Sequence, residues 1–243
     1  MKVMKLKYSF LVMLLMSVIF VNAQTTKWIK DRVSVNLVQN AEHIKVGGKK
    51  VKNGESFIVD LNNAELARGN YRNGVKDSVW NYFGKTGDLI QVYDYTNKKL
   101  IYNILDRKTI VTEAYVVDTN NMPNAKVVAP VKLGGVNYGF NLLYNERNLP
   151  TAVKQQTDKV LMEYVFSLSE TGKVEKLSLN YSSTFYNSEN PQSIDSDIPD
   201  AYDFLPATIN GKPVKSKFIY QIILEVSQAR DKALYAIPTQ GNH

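Results

Sequence analysis

The sequence predicts an α+β protein of two units behind an N-terminal leader, and three observations predict it. Short alternating apolar segments separated by Gly and Asn fill the first half, two stretches of the second half repeat apolar residues at helical spacing, and an apolar run follows early lysines at the start of the chain. Alternation signals strands, and the i, i+3, i+4 recurrence signals helices.

The leader is residues 1–23. Lys2, Lys5 and Lys7 precede Phe10 to Val21, an unbroken run of twelve apolar and small residues, and Val21-Asn22-Ala23 places compact residues before Gln24. This is the pattern of a secretory signal peptide, with the mature chain starting near Gln24. The competing reading is a permanent anchor, but at about 1.5 Å per residue such a helix reaches only about 18 Å into a hydrocarbon core of about 30 Å. The expected location is periplasmic or secreted, without stable membrane insertion after leader cleavage.

Composition narrows the partners. Loss of the leader leaves 27 basic against 23 acidic side chains, a net charge of +4 in place of +7. So small an excess fits a soluble surface, and nucleic acid is not an expected partner. The densest basic stretch, Lys45 to Lys52, is interrupted by Val46, Gly47, Gly48 and Val51 and reads as a solvated hairpin. The absence of cysteine removes disulfides, thiolate nucleophiles, Cys-ligated zinc and a lipid anchor on an N-terminal Cys.

Residues 24–117 form the first unit, an antiparallel β-meander. The segments "SFIVDL", "LARGNY", "VWNYF", "LIQVYDY" and "KLIYN" read as strands, and Asn53-Gly54 and Asn73-Gly74 are the strongest hairpin signals because both residues tolerate the positive φ of a type I′ turn. Residues 118–129, rich in Asn and Pro, are the expected linker, and residues 130–228 the second unit. There Val136, Phe140, Leu143 and Tyr144 make one helical stripe that Pro150 stops. A hairpin follows around Glu170 to Lys173. Ser196 or Asp197, Pro199, Ile198, Ala201, Tyr202 and Leu205 predict a second short helix, and a turn at Asn210-Gly211 leads into a long strand with Phe218, Tyr220, Ile222, Leu224 and Val226 on one side. Residues 229–243 read as a flexible tail.

A search for chemistry finds none assembled. Histidine occurs only at 43 and 243, and no G-x-S-x-G, H-E-x-x-H or S-x-x-K accompanies it. Asp195, Asp197, Asp200 and Asp203 lack the central Gly of a calcium loop and suit a helix start. The expectation is no enzyme, no cofactor and no metal.

Two resemblances follow from quoted motifs. Residues 130–226, through "PVKLGG", "NLPTAV", "FSLSETGKVEKL" and "PATINGKPVKSKFIYQIIL", resemble the C-terminal domain of TonB-type energy transducers; Phe204 stands where that family usually has Trp. Gly69, Tyr71, Asn73, Gly74, Lys76, Trp80, Tyr82 and Phe83 resemble one MORN-like repeat of the kind found in YwqK-type proteins, with Ser78 where glycine is usual. The first resemblance implies helices packed on a small antiparallel sheet. It also implies capture of an extended segment beside the last strand, at Lys217, Ile219, Gln221 and Ile223. The competing reading covers that edge with the first unit or a second copy of the chain, a homodimer. The second resemblance implies stacked two-stranded units.

The expected function is thus a non-catalytic envelope protein that binds a peptide or protein partner by β-augmentation, without the anchor and Pro-rich spacer of an energy transducer. The alternative is an exported carbohydrate-binding or hydrolytic protein that uses Tyr71, Trp80, Tyr82 and Tyr93 as an aromatic surface; the same rings could instead pack as cross-strand core pairs.

Overall fold

A computed structural model describes residues 26–105, 109–119, 122, 124–155 and 159–225. The expected leader and tail lie outside the described residues. Seven strands pair antiparallel in sequence order: β1 (Lys27–Arg32), β2 (Leu37–Val46), β3 (Lys49–Asp60), β4 (Glu65–Arg72), β5 (Val75–Phe83), β6 (Leu89–Asp94) and β7 (Lys99–Asn103). Each strand is short, alternating and bounded by turn residues, so neighbours pair by local hairpins. Asn73 (φ 51°) and Gly74 (φ 85°) make the predicted type I′ turn.

Asn53-Gly54 does not make a turn. It lies inside β3, and the chain reverses earlier, at Gly47 and Gly48, which meet the positive-φ requirement without any Cβ. Gly54 has another task at a ladder irregularity. A Cβ there would collide with Glu42, whose carboxylate folds over the glycine and accepts the Glu55 N–H at 2.9 Å.

The remaining elements run β8 (Thr112–Val117), β9 (Val127–Val128), β10 (Val131–Lys132), α1 (Gly135–Leu143), α2 (Thr151–Lys154), β11 (Lys159–Leu168), β12 (Val174–Ser182), β13 (Asn187–Gln192), β14 (Phe204–Leu205), β15 (Ala207–Ile209), β16 (Lys212–Val214) and β17 (Ser216–Glu225). The second sheet has the order β13-β12-β11-β17-β8, so its centre and one rim come from distant parts of the chain. Two small sheets are separate from it, β10 with β14 and β9-β15-β16. Thr112–Val117, placed by the sequence with the meander, joins this second sheet, and Val127–Val128 at the end of the expected linker pairs with β15.

The α+β assignment is corrected. The described chain is mostly β, in several antiparallel sheets, and its longest helix, the nine residues of α1, is too short to form a helical layer over the second sheet. The second helix expected from Ser196 on is only a 3-10 turn, Pro199–Tyr202. The reason is local: Phe204–Leu205 is drawn into strand pairing with β10, and Pro206 forces the residue before it out of helical conformation.

Helix α1, too short to persist alone in water, survives by being packed on both sides. Val136 and Phe140, with Tyr144 just past its end, enter the core of the second sheet, while Tyr138 and Leu142 enter the core of the meander. Asn36 Nδ2 donates to Tyr144 O at 2.7 Å and Ser34 Oγ to Asn141 O at 2.7 Å, so the N-terminal sheet also holds the C-terminal end of the helix.

Candidate functional site

The aromatic stretch answers to packing. Trp80 and Tyr82 are 0% exposed and Tyr93 is buried, so the proposed ring surface at Tyr71, Trp80, Tyr82 and Tyr93 is corrected to an interior. Parity explains it: Trp80, Tyr82 and Tyr93 point to the face that α1 covers. Trp80 lies over Gly69 so closely that a Cβ would collide with the indole, and its Nε1 donates to Asn70 O at 3.0 Å. Tyr71 is half-buried, edge-on to Trp80 at 5.2 Å, and its hydroxyl accepts from Gln39 Nε2 at 3.1 Å.

Beneath these rings sits a charge that the sequence reading missed. Lys76 Nζ is 4.4 Å from the Trp80 ring centroid, donates to Tyr82 OH at 3.2 Å, and forms an ion pair with Asp200 Oδ2 at 2.7 Å. The two side chains are 7% and 21% exposed. Tyr138 OH donates to the same carboxylate at 2.5 Å. Burial works to raise the Asp200 carboxyl, but Lys76 by charge and hydrogen bond, with Tyr138, holds it below the ordinary carboxylate range. Burial likewise works to lower Lys76, yet the Asp200 carboxylate leaves its ammonium well above the usual lysine range. Lys132 is buried beside this pair and donates to the carbonyls of Leu133, Asp200 and Asp203; burial pushes it down to about 8 against the opposing pull of Asp203 and Asp200. Every donor here has an acceptor, and the cluster joins β5 of the meander to the turn at Pro199–Tyr202. Its arrangement is that of a structural seam. The one sequence signal was parity, which places Lys76 on the same face as Trp80 and Tyr82.

The predicted peptide edge is also corrected. β17 is interior: β11 pairs along all of it, and β8 pairs on its other side from Ser216 to Gln221. Lys217, Ile219 and Gln221 therefore have their backbone paired on both sides, facing Val116, Ala114 and Thr112, and only Ile223 extends past β8. The rim has moved outward by one strand. Among the described residues, β8 has no further strand beyond it, and Tyr115 and Val116 are 53% and 55% exposed.

Two of the other rims are better guarded, whereas β7 is an edge that exposes Ile101 and Tyr102 at 55% and 41%. β1 carries Lys27, Lys30, Asp31 and Arg32, and β13 is polar and contains Pro191. Charge and proline are the usual protection of an open edge. β8, Thr-Glu-Ala-Tyr-Val-Val, has one acid and two exposed apolar side chains on opposite faces.

The remaining candidates are placed as follows. His43 is buried, with Nδ1 2.9 Å from Ala41 O and Nε2 4.0 Å from the Asp31 carboxylate. Asp195 accepts from Asp197 N at 2.9 Å in a local turn. Among the described residues, no three His, Cys, Asp or Glu side chains are grouped to hold a metal, and no helix is long and apolar enough to cross a membrane. A cavity of about 380 Å³ opens on the β12–β13 side of the second sheet, between Leu177, Leu179 and Tyr181 below and the segments around Asn148 and Tyr202 above. No family model, no curated protein and no solved structure matches the chain, so the roles of these residues are argued from geometry.

Proposed function

We propose that this is a non-catalytic, exported binding protein of a Gram-negative cell envelope that takes an extended peptide or partner segment as an added strand beside β8. The leader pattern supports a periplasmic or secreted location, and the TonB-like motifs support capture of an extended segment, relocated from β17 to the strand that covers it. The observation that carries the reading is the rim position of β8, beside which no further strand pairs among the described residues and where Tyr115 and Val116 are exposed.

An added strand would gain main-chain hydrogen bonds worth about 1 kcal/mol each, and the cost of association consumes several of them. Side chains stacked on Tyr115 on one face and Val116 on the other must supply the surplus, which sets an affinity on the order of micromolar. Random heptapeptides displayed on phage test this. Panning should enrich sequences with alternating apolar residues, and Tyr115→Lys with Val116→Lys should abolish their capture. Capture that survives both lysines would contradict the proposal.

A further inference from the structure

The cavity on the β12–β13 side of the second sheet has an origin in the fold. Nine residues of α1 span about 13 Å at about 1.5 Å each, whereas five strands spaced about 4.8 Å apart span about 19 Å. The helix covers β11 and β17, where Phe140 meets Tyr164 and Tyr220. Over β12 and β13 it contributes only its last residue, Leu143, to the wall of the cavity. Leu177, Leu179 and Tyr181 thus lie on a floor that loops roof only in part, with Met162 and Tyr164 directly across the β11–β12 ladder.

The wall has a definite chemistry. Among the described residues that line it, none is Asp, Glu, Lys, Arg or His, and burial pushes the Tyr181 hydroxyl up to about 12, so it is neutral at physiological pH. A charged ligand would lose its hydration and find no counter-charge. The rim is nevertheless polar. Asn190 Nδ2 donates to Leu179 O at 3.0 Å and Ser188 Oγ at 3.1 Å, and Gln192 Nε2 donates to Asn190 O at 3.1 Å. Those bonds fix both amides and leave their carbonyl oxygens as acceptors. An alkyl ligand seated against half-buried Asn190 would leave its side-chain oxygen without a partner, which is costly. An aliphatic floor flanked by tyrosines and ringed by oriented amides suits a ring with one apolar face and a polar edge.

We infer that this cavity is a binding site for a neutral saccharide unit, the ring lying on Leu177 and Leu179 and its hydroxyls donating to Asn190 and Gln192. The volume is at the lower end of small-molecule sites, which favours a single sugar over a chain. The site is at the opposite end of the sheet from β8 and does not depend on the peptide reading.

Amide NMR of the full chain titrated with glucose, galactose and N-acetylglucosamine, with glucuronate and hexanol as contrasts, tests the inference. The expected result is saturable shifts at Leu177–Tyr181 and Asn190–Ser193 with at least one neutral sugar, at a dissociation constant on the order of millimolar for so small a ligand. Ser193→Trp, an exposed change at the mouth, should abolish the shifts, and Tyr181→Phe should weaken them several-fold, with an otherwise unchanged spectrum reporting an intact fold. No shift with any neutral sugar, tighter binding of glucuronate or hexanol, or shifts that survive Ser193→Trp would overturn it.

Discussion

The two sheets of this protein are assembled by opposite rules. The meander is laid down strand by strand, β1 to β7, and each ladder is made by residues close in sequence. The second sheet places β17, the last described strand, at its interior and recruits β8 from before the helix as its rim strand. Local signals suffice to build the first, whereas the second needs long-range pairing, with its larger loop-closure cost. The consequence for function is that the rim of the second sheet is set by a partner strand that its own sequence does not announce. The seam between the sheets holds a buried ion pair amid apolar packing, while the core of the second sheet is almost wholly apolar.

That contrast can be broken most severely at the seam. Asp200→Ala leaves the Lys76 ammonium buried without its carboxylate and should cost about 3–5 kcal/mol in urea unfolding, the range for removing one partner of a buried pair. Within the meander, Gly69→Ala sets a methyl against the Trp80 ring and should cost about 1–3 kcal/mol by the same measurement.

Ser78 sharpens the picture in the other direction. It holds φ 56°, and left-handed backbone costs a residue with a Cβ about 1–2 kcal/mol. Ser78→Gly should raise the melting temperature by a few degrees, a net gain below that figure because the flexible unfolded chain and the lost Ser78 Oγ bond to Asp77 oppose it.

The pH dependence should single out the seam as well. Asp200 is held below its unfolded value of 3.8, so its contribution is complete above that value and is lost as pH falls through the lower folded value. Asp203, raised by burial, acts with the opposite sign: it destabilises fully above its folded value, and that penalty is relieved as pH falls from there to 3.8. Urea titrations between pH 5 and pH 2 (roughly the carboxylate window) should therefore show an acid loss of stability that Asp200→Asn diminishes. The smallest expected effect on stability is at the rim, where Tyr115→Lys and Val116→Lys should change it by no more than about 0.5 kcal/mol while removing peptide capture.

The sequence made the meander readable because its determinants are local. Alternation identified β3 to β7, and the left-handed turn at Asn73-Gly74 needs only the two residues that form it. Gly69, Tyr71 and Trp80 pack on one another, the indole lying over Gly69 and edge-on to the Tyr71 ring. Gly54 misled because a positive φ serves a bulge as well as a turn. The second sheet was harder. Glu170 to Lys173 announced the β11–β12 hairpin, but nothing in Thr112–Val117 tells which strand it will join. The candidate rim was therefore misplaced by one strand, and the helix expected at Pro199–Tyr202 was lost to the pull of β14 into pairing. The buried charges were hidden for a related reason: Lys76 and Asp200 look like surface residues until a distant turn brings them together.

The most direct test of the binding proposal is amide hydrogen exchange on the full chain with and without a peptide enriched by panning. The account predicts that the outward-facing amides of Thr112–Val117 become protected on binding and that Tyr115→Lys removes the effect. Protection confined to the meander or to β13, or none in β8 at saturating peptide, would contradict it.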